Sequence, residues 1–166
     1  MNGSNSATTL LSDSPARTEA LGHALGAALR PGDLLALDGD LGAGKTVLVR
    51  GLAEGAGADP AAVRSPTFVL HHVYRGGQVV LHHLDCYRLG PGADLDALDL
   101  DGLLEEGAVA VEWAEYAPHL GEAAHPVRIH IEVVDAQRRR VTLSQVPTHL
   151  AAALDAVAAA APGDVP

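Results

Sequence analysis

The stretch DLLALDGDLGAGKTVLVRGLAEGA, residues 33–56, decides the fold. Asp33–Asp38 is a short, nearly continuous apolar run, the pattern of a strand buried on both faces. Gly39–Gly44 is a glycine-rich turn. Lys45 to about Ala56 reads as a helix that closes among Gly55 and Gly57. Strand, glycine turn and helix follow one another without a break. Within them Gly39–Thr46 (GDLGAGKT) fits the phosphate-loop pattern G-x-x-x-x-G-K-[ST].

The chemistry of that pattern is local. Glycines let the backbone curl until its N–H groups face phosphate oxygens. The helix that starts at Lys45 adds the positive end of its dipole. The Lys45 ammonium reaches the β- and γ-phosphates, and the Thr46 hydroxyl supplies one ligand to Mg²⁺. The expected phosphate-binding set is therefore Asp40, Leu41, Gly42, Ala43, Gly44, Lys45, Thr46 and Val47. Lys45 is the chain's only lysine; the other ten cationic side chains are arginines. A sequence that uses Arg everywhere else places its one compact ammonium in the phosphate loop.

Upstream, residues 1–12 read as a loose tail. Ser14-Pro15 is a helix start, with Ser as N-cap and Pro at the first helical position. Leu21, Ala24, Leu25, Ala28 and Leu29 recur at helical spacing until Pro31-Gly32 stops them. Downstream, Thr67–Tyr74 and Gln78–Leu84 read as a hairpin turning at Gly76-Gly77, which sets His71 opposite His82. Residues 89–107 read as loop and short helix, and Ala108–Val111 as a strand ending in Glu112-Trp113. Val127–Val134 and Arg138–Val146 form a last hairpin, and Thr148–Ala161 an alanine-rich helix with a frayed end. The expected fold is α/β: a P-loop NTPase-type, mostly parallel sheet flanked by helices, with antiparallel hairpin strands added. The expected organisation is a tail over 1–12, one domain over 13–147, and a C-terminal helix and tail over 148–166.

Two acids end apolar strands, where open α/β sheets place their ligand crevice. Asp85 ends VVLHHLD and Glu112 ends AVAVE. They suit one metal ligand and one group that orients or deprotonates a nucleophile. Trp113 follows Glu112, and strict alternation would send it to the opposite face unless the strand end breaks the pattern. A guanine reader of the type Asn-Lys-x-Asp cannot be built, because Asn occurs only at positions 2 and 5. ATP is the expected nucleotide.

Composition excludes other classes. The formal net charge is −10, which disfavours a wide grip on DNA or RNA. The only basic run, Arg138-Arg139-Arg140, reads as the solvated edge of a hairpin, with a docking spot for an acidic partner or RNA backbone as the second reading. A single cysteine, Cys86, cannot form an internal disulfide and suits a reducing compartment. The first residues lack a charged and apolar leader pattern, and no apolar run is long enough for a membrane. A cytoplasmic location is expected. Four histidines, His71, His72, His82 and His83, fall on the first hairpin, without the cysteines or clustered carboxylates of a metal site.

GDLGAGKT, then SPTF at Ser65–Phe68, HLDCYR at His83–Arg88 and VEW at Val111–Trp113 resemble, in order and spacing, the TsaE (YjeE) family. TEALG at Thr18–Gly22 resembles that family's opening helix. The resemblance covers about residues 14–146. It implies a weak, partner-stimulated ATPase serving tRNA threonylcarbamoyladenosine biosynthesis, with TsaB and TsaD as partners and tRNA reached through them. It implies Lys45 on the phosphates, Thr46 and Glu112 on Mg²⁺, and Asp85 near the γ-phosphate as metal-water ligand or catalytic acid/base. It also implies a switch-like loop at Ser65 and Thr67, Trp113 beside the nucleotide, and Thr18 toward the base. Val47 departs from the family, which commonly has a second Thr there; one lost hydrogen bond costs about 0.5–1.5 kcal/mol. Two alternatives are a small-molecule kinase, disfavoured by the scatter of Arg64, Arg75 and Arg88, and a nucleotide-gated binding module with negligible turnover.

Overall fold

A computed structural model describes residues 7–65, 69–120 and 125–160. Among these, seven strands form one sheet: β1 Thr8–Ser12, β2 Leu34–Asp38, β3 His71–Tyr74, β4 Val80–Asp85, β5 Gly107–Glu112, β6 Val127–Val133 and β7 Arg139–Ser144. The helices are α1 Pro15–Ala28, α2 Lys45–Gly55, α3 Leu100–Glu106 and α4 Thr148–Ala159. The strand order is β1-β7-β6-β2-β5-β4-β3. The central four, β6, β2, β5 and β4, are parallel. Antiparallel strands extend both sides, β7 and β1 at one and β3 at the other. This is the expected parallel α/β sheet with antiparallel additions.

Alternation along β2 sorts the core into two layers. Leu35 and Leu37 pack with Leu25 of α1, Leu48 and Leu52 of α2, and Leu150 of α4. Leu34 and Ala36 face the other layer, with Leu84, Val109, Val111 and Leu120. Parallel strands end at one edge, so Asp38, Asp85 and Glu112 finish β2, β4 and β5 side by side. Asp85 pairs in register with Glu112, which itself lies beside Leu37.

Three expectations are corrected. Thr8–Ser12 is an edge strand paired with β7, not part of a loose tail; residues 1–6 lie outside the described residues. Its partner comes more than a hundred residues later, so its short TTLLS pattern carries little local signal. The C-terminal helix is not an appendage, because Leu150 and Leu154 are buried in the main core. Arg17 of α1 also caps α4, donating to Val157 O at 2.9 Å and Ala160 O at 2.8 Å. The domain therefore runs from Thr8 to Ala159 rather than from 13 to 147.

The third correction is the register of the first hairpin. Tyr74 pairs with Leu81, and His71 with Leu84 rather than with His82. The connection spans residues 75–79 because it is pinned to the end of α2, where Gln78 N donates to Ala56 O at 2.9 Å. The imidazoles of His71 and His82 still meet diagonally, Nε2 to Nδ1 at 3.0 Å. His82 is buried, and its Nε2 lies 3.3 Å from Glu106 without a hydrogen-bond partner. Glu106 is engaged by Arg75 at 2.6 Å. Among the described residues no group of three or more His, Cys, Asp or Glu is placed to hold a metal.

Burial holds both histidines below the usual imidazole value. For His71 the nearby His82 and His72 add to this, and for His82 so does Arg75; Glu106 opposes it in both cases. A base depressed in the folded state binds fewer protons there than in the unfolded chain. Stability is therefore full above the ordinary value near 6.5 and falls as pH drops below it, with a slope of at most ~1.4 kcal/mol per pH unit for each histidine. Urea unfolding between pH 7.5 and 5.5 checks this. His82→Leu should flatten the dependence, and an unchanged slope in that variant would reject the assignment.

Candidate nucleotide site

The site grows from the end of β2. Gly44 caps α2 with φ 111, a left-handed conformation, and nothing lies within 4 Å of where a side chain would begin. A residue with a side chain would be strained there and would project it into the open cradle. Lys45, the first residue of α2, is buried. Its ammonium donates to the carbonyls of Gly39 and, at 3.0 Å, Asp40. It also lies 4.1 Å from the centre of the Trp113 ring. Burial lowers the pKa of Lys45, against the pull of Glu112, Glu115, Asp85 and Asp40.

The strand-end carboxylates are organised from behind. Glu112 Oε1 accepts from the Thr46 hydroxyl at 2.8 Å and lies 2.8 Å from His83 Nε2. His83 Nδ1 lies 3.1 Å from the Tyr74 hydroxyl, which donates to Arg64 O at 3.3 Å. A chain of contacts thus joins Glu112 to the loop that carries Ser65. Asp85 accepts from Ser65 Oγ at 3.2 Å and from Tyr87 N at 2.8 Å. Cys86, between them, is fully buried, and burial pushes its thiol up to about 12, so it remains a protonated thiol.

Trp113 breaks the alternation of β5. Its φ of 56 and ψ of 42 follow directly on the strand end. The ring meets those of Tyr87 and Tyr116 at a tilt, with centroids 4.8 and 5.4 Å away. Two residues further on, Glu115 is pushed up to about 7 by burial and by a hydrogen bond with Asp38. Asp38 Oδ1 is buried without a partner.

These residues surround a cavity of about 360 Å³, lined by Leu41, Gly42, Gly44, Lys45, Thr46, Val47, Ser65, Asp85, Tyr87, Glu112 and Trp113. A larger groove, about 680 Å³, runs between α1 and α4, but half its lining is alanine and it holds no phosphate-loop residue and no strand-end acid. The smaller cavity is where the charged groups converge. Asp40 and Ala43 do not line the cavity: the Asp40 carbonyl accepts from Lys45, the Ala43 carbonyl accepts from Arg139, and Ala43 is buried. Thr18 does not line this cavity: it is buried, with its hydroxyl 2.8 Å from Ser12 Oγ. Thr67 lies outside the described residues. His83, Tyr87 and Glu115 join the site although sequence reasoning assigns none of them a role in it, His83 and Tyr87 being noted there only within the hairpin and the HLDCYR motif. His83 and Tyr87 stand two residues either side of Asp85, a spacing that on a strand points to a shared face.

The donors in the cavity are hard oxygens, from Thr46, Glu112 and Asp85, above a glycine cradle with one ammonium. That set fits a Mg²⁺-bound polyphosphate.

The family model described as "Threonylcarbamoyl adenosine biosynthesis protein TsaE" matches residues 12–141. A Bacillus subtilis protein named tRNA threonylcarbamoyladenosine biosynthesis protein TsaE is 38% identical over 136 residues, 80% of this chain and 82% of that one. A Streptomyces coelicolor protein of the same name is 50% identical over 98 residues, 57% of this chain. The chain spans 66% of the length of that relative and 63% of one from a Nostoc species. The crystal structure of Bacillus subtilis YdiB superposes with a TM-score of 0.68 at 30% identity, covering 92% of this chain and 94% of that one.

Proposed function

The chain belongs to the TsaE family, and we propose that it is an ATP-binding, ATP-hydrolysing subunit required for threonylcarbamoyladenosine modification at tRNA position 37, acting with TsaB and TsaD. The observation that carries this reading is the convergence, in one cavity, of the phosphate loop, the Thr46–Glu112 pair and the Asp85–Ser65 pair. Thr46 and Glu112 would hold Mg²⁺, which when bound offsets the charge of the phosphate oxygens. Lys45 would exchange its carbonyl partners for phosphate oxygens. Asp85 would orient or deprotonate the attacking water, with Ser65 fixing its carboxylate. Trp113 and Tyr87 would cover the nucleotide. Val47 offers no hydroxyl to the α-phosphate, so binding by the isolated chain is expected to be weak.

The formal net charge of −10 favours tRNA being reached through the partner proteins rather than gripped directly. A kinase reading gains no support, because none of Arg64, Arg75 and Arg88 lines the cavity. Among the described residues no helix is long and apolar enough to cross a membrane.

The deciding experiment is phosphate release with and without TsaB and TsaD. Slow turnover alone and a rise of roughly 100-fold or more with both partners is expected, the lower end of what a positioned general base contributes. Asp85→Asn should lose the stimulated rate and keep nucleotide binding. A rate that ignores the partners would undercut the proposal.

A further inference from the structure

Arg139 opens β7, and its guanidinium lies against the phosphate loop. Nε donates to Ala43 O at 2.9 Å and Nη2 to Gly42 O at 3.4 Å. Nη1 holds the hairpin turn through Asp135 O at 2.8 Å and Arg138 O at 3.0 Å. Its neighbours behave differently. Arg138 pairs with Asp135 at 2.6 Å, and Arg140 pairs with Glu132 at 2.5 Å, both on the exposed surface. The expected solvated edge thus holds for Arg138 and Arg140 but not for Arg139. Among the described residues the side-chain hydrogen bonds of Arg139 go to main-chain carbonyls.

A trans peptide points its C=O and the following N–H in opposite directions. Holding the Ala43 carbonyl toward Arg139 therefore aims the Gly44 N–H away from it, to the side where Gly44 lines the cavity. The preceding peptide is fixed from both ends: its carbonyl lies on Arg139, and its N–H, that of Ala43, donates to Asp40 O at 3.0 Å. We propose that Arg139 is a positioning residue for the phosphate group: it fixes the Gly42–Gly44 backbone with the Gly44 amide aimed at a phosphate oxygen, and sets a full positive charge behind that amide. This rests on the nucleotide reading above. The planar fork spans two successive carbonyls and the hairpin turn together, which a lysine ammonium on a flexible stem does not reproduce.

The test is equilibrium binding of MgATP and of inorganic pyrophosphate to the full chain and to Arg139→Ala, Arg139→Lys, Arg138→Ala and Arg140→Ala. Arg139→Ala should weaken both ligands roughly 10-fold, the loss of one pre-oriented donor and its supporting charge. Arg139→Lys should fall between it and wild type, while Arg138→Ala and Arg140→Ala stay near wild type. The amide resonance of Gly44 should move in Arg139→Ala without ligand, a shift that a general loss of stability does not produce by itself. If Arg139→Ala unfolds, Arg139→Lys and the Gly44 resonance decide the matter. If wild type binds neither ligand, the nucleotide reading itself falls. If wild type binds and Arg139→Ala binds equally well, or if Arg138→Ala loses as much, only the Arg139 proposal falls.

Discussion

Lys45→Ala is expected to abolish detectable MgATP binding and leave the fold intact. The cavity is otherwise a concentration of acids: Glu112, Glu115, Asp85 and Asp40 all act on this one ammonium. Remove it and a polyphosphate meets carboxylates with the loop amides, Mg²⁺ and the more distant Arg139 guanidinium left to offset them. Each hydrogen bond from a charged group is worth about 1.5–3 kcal/mol, and in the proposed site Lys45 would serve two phosphates. The affinity loss is therefore put at roughly 100-fold or more, about 2.7 kcal/mol. Arg at this position should fail too, because the pocket beside Trp113 holds a point charge and a planar fork needs more room. Stability moves little, since the cost of burying an ammonium disappears along with its bonds to Gly39 and Asp40. Thermal unfolding measures both effects together. MgATP should raise the midpoint of wild type and leave that of Lys45→Ala unmoved. A full ligand-induced shift in the variant would remove Lys45 from the site.

The contrast between Lys45 and Arg139 shows what a sequence exposes and what it hides. Lys45 stands inside a contiguous pattern whose strand, turn and helix are all legible locally. Asp85 and Glu112 were legible for the same reason, as charges closing apolar runs. The contact of Arg139 with Ala43 spans 96 residues, and nothing near Arg139 announces it. The pairing of β1 with β7 is hidden in the same way. Trp113 is an intermediate case: its neighbour Glu112 marks the place, but the left-handed turn that swings the ring over Lys45 follows from tertiary packing. The hairpin register fails because the turn answers to α2 and not to its own glycines.

A stability change of similar consequence is expected from Gly51→Val, which should leave the chain unfolded or nearly so at 37 °C. Helices α1 and α2 touch backbone to backbone through two glycine pairs, Gly22 and Gly26 on one and Gly51 and Gly55 on the other. A Cβ on Gly51 would overlap Glu19 O, and one on Gly55 would overlap His23 O. In return, Gly22 would strike Leu48 O and Gly26 would strike Leu52 O. Every obstacle is main chain, so no side chain can swing aside. Replacing glycine by alanine inside an exposed helix stabilises by about 0.5–1 kcal/mol. Here the sign reverses, because the helices must part and the packing of Leu21, Leu25, Leu48 and Leu52 opens with them. Gly51→Ala alone should cost roughly 1–3 kcal/mol, the usual range for an overfilled core. The spacing is written plainly, as GHALG at 22–26 and GLAEG at 51–55, but only the packed structure shows that the two motifs face each other. That geometry makes a second demand. Once one Cβ has parted the helices, the next finds room, so Gly22→Ala with Gly51→Ala should cost less than the sum of the singles. Urea unfolding of the four chains in that cycle tests it. A Gly51→Ala variant as stable as wild type, or a fully additive pair, would mean that the helices do not approach as closely as the backbone contacts require. Because α2 begins at Lys45 and Thr46, the same variants should also weaken MgATP binding before they unfold.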